Sequence, residues 1–204
     1  QGNLCRVRNY ILDQEFEAGA DAVLIIDDDL KGVFYWEGKQ SKPVTTEMFM
    51  AFLEKYSRQA QEIGAYFWGL NINTDKQVYQ EYTPFSTTSY IGGPFQCFLR
   101  CGELRYDERL PLKEDYDMTL QQLNRYRVML RVNKFYYVAK QSKQKGGCAA
   151  YRNIEREEQQ LEALQKKWGR DIVKVDASAR SHNLKKTKRT VDYNPIIRVP
   201  IKGV

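Results

Sequence analysis

Apolar residues recur along this chain at two spacings, which predict helices alternating with short buried strands. Four helices are expected: the first carries Val7, Ile11, Leu12 and Phe16, the second begins after Thr45, and the others span 114–126 and about 153–168. Strands are expected at 22–26, 33–36, 65–70, 95–100, 127–132, 134–139 and 172–175, with Asn133 turning a hairpin between 127–132 and 134–139. This pattern predicts an α/β fold with a mixed central sheet.

The most informative segment is Ala22-Val23-Leu24-Ile25-Ile26, which runs directly into Asp27, Asp28 and Asp29. Unpaired carboxylates are costly to bury, so the three acids must lie at the open end of the strand. Ligand crevices of α/β sheets form at that position. Carboxylates gathered there can hold a hard divalent cation, which in turn can hold a phosphate. An acidic turn without ligands is the alternative interpretation.

A second acidic group, Glu114-Asp115 with Asp117 close behind, opens the helix at 114–126. Acids are favoured in any first helical turn, so a purely structural role is a strong alternative. A helix start nevertheless fixes a carboxylate rigidly, as general-base catalysis requires. Asp115 is the preferred base, and Glu114 and Asp117 compete with it. One acidic group could hold a metal ion and the other could accept a proton. Together they would suit the transfer of a group from a phosphorylated donor.

The net charge of +6 comes entirely from residues 177–204, where seven basic residues face the single acid Asp192. We therefore divide one domain, 1–204, into a core at 1–176 and a basic segment at 177–204. A polyanion such as DNA would meet this segment, with a solvated tail as the alternative. The four cysteines lack metal-site spacing and are typical of free thiols in a reducing compartment, which favours a cytoplasmic protein. No apolar run is long enough to span a membrane, and the oligomeric state stays open.

These residues resemble the GT-A class of nucleotide-sugar glycosyltransferases. The resemblance rests on four features in order: Arg6-Val7-Arg8-Asn9, the strand and Asp-x-Asp motif at 23–29, Gly92-Gly93-Pro94 before a strand ending at Arg100, and Glu114-Asp115. It implies a sugar donor, with UDP as the expected nucleotide, bound through Mn²⁺ or Mg²⁺, and a catalytic base from the later acids in inverting members. Such enzymes begin with a strand–helix–strand unit that holds the nucleotide base, and the chain is expected to lack it.

The resemblance also assigns individual residues. Asp27 and Asp29 are expected at the metal, with His182 as a further ligand, and Asp27 and Asp28 at the donor. Arg8, Lys145 and Lys185 are expected to approach the donor, and for each a solvent-exposed structural role is the alternative.

The later part of the chain, with Lys145-Gly146-Gly147 and the helix ending at Trp168, is similar to the TET-associated and base J glucosyltransferase group. This similarity implies a hydroxymethylated base in DNA as the acceptor. Two other functions stay open: a degenerate nucleic-acid-binding module without catalysis, and a metal-dependent nuclease or phosphotransferase. The latter would need a lysine beside its acids, and no tight Asp…Glu-x-Lys arrangement is present.

Overall fold

A computed structural model describes residues 2–75, 79–139, 153–176 and 192–203. The helices are α1 (Leu4–Glu17), α2 (Thr46–Glu62), α3 (Glu114–Tyr126) and α4 (Ile154–Trp168). The strands are β1 (Ala22–Ile26), β2 (Leu30–Glu37), β3 (Gln40–Pro43), β4 (Phe67–Asn71), β5 (Phe85–Ser86), β6 (Phe95–Leu99), β7 (Leu130–Ala139), β8 (Val173–Asp176) and β9 (Asp192–Ile197). The predicted class, α/β with a mixed sheet flanked by helices in one domain, is confirmed.

The central sheet has the strand order β1-β6-β4-β7-β2-β3, and the short β5 pairs with β7. β4 and β7 run parallel, whereas every other pair in this sheet is antiparallel. As a result, β1, β4 and β7 end, and β2 and β6 begin, at the same end of the sheet. We call this the upper end. It receives Asp27 from β1 and Gly93 from the start of β6.

Helices cover both faces of the sheet because each presents an apolar stripe to it. Phe52 and Tyr56 of α2 pack on Trp68 and Phe135 at one face. The side chain of Thr45 caps this helix by accepting from the Met48 N–H, as the sequence predicts. α1 and α3 cover the opposite face, where Leu12, Cys5 and Met118 are completely buried.

α4 and the two-stranded β8–β9 sheet form a third layer of packing against α3. Leu161 and Leu164 of α4 bury themselves with Leu120 and Val173. Beyond β9, Val199 and Ile201 also pack on the core beneath α1 and α3. Residues 192–203, the described end of the basic segment, are therefore part of the folded domain.

The predicted hairpin at Asn133 is wrong, because residues 130–139 form one continuous strand. The segment before β5 holds Asn133 in place: the Asn133 N–H donates to the Pro84 carbonyl at 2.8 Å, and its amide donates to the Thr83 carbonyl at 3.0 Å. The pairing of β7 with β4 slips in register close to this position. The polar residue that predicted a turn thus lies at an irregularity inside a continuous strand.

Candidate active site

The upper end of the sheet brings the two acidic groups of the sequence together. Asp27 follows β1, and its N–H donates to the Pro94 carbonyl at 3.2 Å, which ties it to the glycine segment before β6. Glu114 and Asp115 open α3 on the other side of that segment. An added Cβ on Gly93 would lie 3.5 Å from Asp115 Oδ2 and 3.6 Å from Glu114 Oε1. Gly93 therefore lies between the two acidic groups.

The buried side chain of Arg8 contacts both acidic groups. Its side chain is only 2% exposed, and its guanidinium lies 2.5 Å from Asp27 Oδ1 and 3.4 Å from Glu114 Oε1. Burial works to lower the pKa of Arg8, but Tyr106, Asp27 and Glu114 together raise it, so the group stays charged. Arg8 thus lies at the predicted site, where it already contacts Asp27 and Glu114.

Glu114 has a strongly raised pKa. Burial first, and then the charge of Asp115, raise the pKa of Glu114 to about 8, although Arg8 opposes the shift. A carboxyl in this environment keeps its proton at neutral pH. The upper end therefore holds a protonated glutamic acid beside Asp115, and Arg8 contacts both Glu114 and Asp27.

Asp115 is held in one orientation by donors on both of its oxygens. The Tyr90 hydroxyl and the Gly93 N–H, the latter at 3.1 Å, donate to Oδ2, and the Tyr116 N–H donates to Oδ1 at 2.8 Å. The Tyr90 ring stacks on Tyr116 with centroids 4.3 Å apart. Such fixation is what a positioned general base requires. Tyr90 was not predicted in this role, because residues 77–90 have no clear period.

Asp117, the third candidate base, lies elsewhere. Its fully buried carboxylate accepts from Trp168 Nε1 at 2.7 Å and Gln121 Nε2 at 2.7 Å, and lies 2.8 Å from Lys167 Nζ. These contacts hold α4 against α3. Asp117 therefore has a structural environment that separates it from Asp115.

Tyr137 of β7 also reaches the upper end and was not singled out from the sequence. An added Cβ on Gly92 would lie 2.3 Å from its hydroxyl, so only glycine allows this close approach. Burial, followed by the charges of Asp115, Asp27 and Asp29, raises the pKa of Tyr137 well above its usual value. The hydroxyl is therefore a neutral donor beside both acidic groups.

The strand-end aspartates differ in exposure: Asp28 is exposed, whereas Asp27 and Asp29 are half-buried. Across the described ranges, no three His, Cys, Asp or Glu side chains are arranged to share one metal ion. A protein cage for a cation is thus not preformed there. Mg²⁺ is nevertheless commonly held by one or two carboxylates together with substrate phosphates, and the oxygens at 27–29 fit that mode.

The remaining predicted site residues, Lys145, His182 and Lys185, lie outside the described residues, as do Arg180, Lys186, Lys188 and Arg189 of the basic segment. None of the described helices has the length and apolar character needed to cross a membrane.

The mixed sheet, with a strand-end aspartate motif beside a glycine segment and an acidic helix start, is consistent with a GT-A-like fold. The sequence matches the family model of the TET-associated glycosyltransferases over residues 2–147. The chain belongs to this family and is a glycosyltransferase. Searches of curated proteins and of solved structures found no match.

Proposed function

We propose that this chain moves a sugar from a nucleotide-sugar donor, most simply a UDP-sugar, to an acceptor hydroxyl with the help of Mn²⁺ or Mg²⁺. One observation supports this above all: Arg8 and Gly93 join Asp27, the first of the strand-end aspartates, to Glu114 and Asp115 in one site. A donor-binding group and a proton-accepting group are thereby adjacent, as direct transfer between two substrates requires.

On the donor side, Asp27 and Asp29 offer oxygens for the cation, and Asp28 offers its exposed carboxylate to the donor. A cation bound there neutralises the charge that develops on the leaving diphosphate. We further propose that His182 is an additional ligand of the cation and that Lys145 and Lys185 contact the phosphates of the donor.

On the acceptor side, we assign the base to Asp115 and not to Glu114. A carboxyl whose pKa is raised to about 8 already carries a proton at neutral pH and cannot accept another. Asp115 is the more exposed of the two and is oriented by Tyr90 and Gly93. Glu114 and Arg8 then determine the electrostatic environment of Asp115.

The donor and the cation can be tested by thermal unfolding. Mn²⁺ with UDP should raise the melting temperature more than either alone, since a ligand at 100 times its Kd adds about 2.7 kcal/mol. Asp29→Asn should remove most of this shift. Asp21→Asn is a matched control, because Asp21 precedes β1 at the opposite end of the same strand and is fully exposed. An unchanged shift in Asp29→Asn would exclude Asp29 from the metal site.

Activity is tested by UDP release from a panel of UDP-sugars with Mn²⁺, measured with and without DNA. Release that depends on the acceptor supports transfer. A protein that binds DNA but releases no UDP from any donor would instead be the non-catalytic binding module.

For the acceptor, we propose a hydroxymethylated base in DNA, met by the basic segment at 177–204. Three to five phosphate contacts would give a log–log salt slope of about −3 to −4.5 on duplex DNA. Alanine at Lys185, Lys186, Lys188 and Arg189 should flatten that slope. Absence of DNA binding at low salt, with UDP affinity reduced in the same variant, would assign these lysines to the donor diphosphate.

A further inference from the structure

Arg131, the second residue of β7, is a half-buried cation without an acidic partner among the described residues. Leu130 and Val132 on either side of it pack in the core with α2, so Arg131 points to the opposite face of the sheet. There its Nε donates to Asn133 Oδ1 at 3.0 Å, and its Nη1 donates to the Tyr90 carbonyl at 3.3 Å. Both acceptors are neutral, so they do not compensate the positive charge.

The other two arginines that are not solvent-exposed in the described part of the chain have acids beside them. Arg8 contacts two acidic side chains, and Arg105 pairs with Asp13 at 2.7 Å. Around Arg131, by contrast, β4, β7 and residues 82–102 contain no Asp or Glu. A cation taken partly out of water without a counter-ion is destabilising, so its presence points to an anionic ligand.

Part of the guanidinium is open to such a ligand. Nη2 of Arg131 makes no hydrogen bond to a described residue and is not sealed from solvent. Burial lowers the pKa of Arg131 to about 10, so the group still carries its charge at neutral pH. Guanidinium N–H groups form strong, charge-assisted hydrogen bonds with phosphate oxygens.

The position of Arg131 favours a phosphate of the acceptor over a phosphate of the donor. Tyr90 connects Arg131 to the proposed base, because its carbonyl accepts from Arg131 and its hydroxyl donates to Asp115. Asp27, on the donor side, follows β1, which is three strands away from β7 in the sheet. Strand spacings of about 4.8 Å separate β1 from β7 by roughly 14 Å.

We propose that Arg131 binds a backbone phosphate of the acceptor DNA, next to the base whose hydroxymethyl group loses its proton to Asp115. The proposal rests on the function proposed above, because it requires a DNA acceptor in the site. Phosphate contacts fix the position of a nucleic acid without reading its sequence. Arg131 thus positions the acceptor nucleotide whatever bases surround it.

The test compares two acceptors that carry 5-hydroxymethylcytosine: the free deoxynucleoside, which has no phosphate, and a short single-stranded oligonucleotide. Arg131→Gln removes the charge and retains an amide donor, whereas Arg131→Lys retains the charge. Arg105→Gln is the matched control, because Arg105 is also half-buried but is paired with Asp13. UDP release with Mn²⁺ gives kcat/KM for each acceptor, and oligonucleotide binding is measured against salt concentration.

We expect Arg131→Gln to lose about 10- to 100-fold in kcat/KM with the oligonucleotide, the range for a hydrogen bond to a charged group, and to match the wild type with the nucleoside. Its log–log salt slope should be shallower by about 0.7, the value for one phosphate of a single strand. Arg131→Lys should keep the wild-type slope, and Arg105→Gln should change neither quantity.

An equal loss with both acceptors would refute the phosphate contact and leave Arg131 as a support of Tyr90. Weaker binding of UDP with Mn²⁺, at an unchanged oligonucleotide slope, would move the contact to the donor diphosphate. If the Arg131 variants do not fold, equal kcat/KM of the wild type for nucleoside and oligonucleotide would refute the contact. A wild type that releases UDP with neither acceptor would refute the proposed function itself, whereas normal wild-type transfer with an unaffected Arg131→Gln would refute this contact alone.

Discussion

Replacing Arg8 with methionine tests whether the acids of the site depend on one buried cation. The side chain of Arg8 is 2% exposed, and its removal would leave Asp27 and Glu114 without their shared guanidinium. Breaking a buried ion pair by removing one partner costs about 3–5 kcal/mol. For a chain of this size, 1 kcal/mol corresponds to roughly 2–4 °C in melting temperature, so we expect a fall of about 6–20 °C.

The loss of stability in Arg8→Met should also depend on pH. The pKa of Glu114 is raised to about 8 in the folded protein, so its contribution to stability is fully present below about pH 4.5 and is lost as the pH rises through 8. Arg8 opposes that rise in pKa. Without Arg8 the pKa of Glu114 rises further, and the folded variant holds its proton to higher pH. The stability gap between wild type and Arg8→Met should therefore widen from pH 5 to pH 8.

The assay is thermal unfolding followed by circular dichroism at pH 5 and pH 8, with Arg6→Met as the control. Arg6 lies two residues away on the same helix and pairs with Glu108 at 2.8 Å, but its side chain is 72% exposed. Exposed pairs contribute little, so Arg6→Met should melt near the wild-type temperature. A loss in Arg8→Met no larger than in Arg6→Met, or a gap independent of pH, would refute the role of Arg8.

Two further predictions concern the acids and the glycines. Asp115→Asn should keep donor binding and lower the rate of UDP release by about 10²- to 10⁴-fold, whereas Asp117→Asn should lower the melting temperature and spare the rate. Wild-type turnover in Asp115→Asn would contradict the assignment of the base. Gly92→Ala should impair activity because its Cβ would lie 2.3 Å from the Tyr137 hydroxyl, whereas Gly93→Ala meets only ordinary contacts beyond 3.4 Å and should remain folded. Wild-type activity in Gly92→Ala would show that the position of Tyr137 is unimportant.

Local pattern was sufficient to predict the elements that frame the site. The run of apolar residues before Asp27 forms β1, and Glu114 opens α3, as expected. Both predictions depend only on residues that are neighbours in the sequence. Acids next to a buried strand must lie beyond its end, and a first helical turn favours acids. The position of these two groups at the same end of the sheet follows from the antiparallel pairing of β1 with β6.

Side-chain partners across the fold could not be read from local pattern. Arg8 meets Glu114 over a separation of 106 positions, and no periodicity encodes that contact. The two aspartates 115 and 117 are equivalent by composition, yet they point about 200° apart around a helix with 3.6 residues per turn. This geometry directs Asp115 to Tyr90 and Gly93, and Asp117 to α4.

The buried contact between α3 and α4 has a consequence for modularity. Lys113, the residue before Glu114, is fully buried and lies 2.5 Å from Glu157 Oε2 of α4. The family match ends at residue 147, so the cation lies inside it and its carboxylate lies outside. A protein cut at that boundary would leave an ammonium group without its counter-ion beside the site and would uncover Leu110 and Leu120. The segment that carries the family's signature is therefore not a detachable unit, and α4 is part of the support of α3.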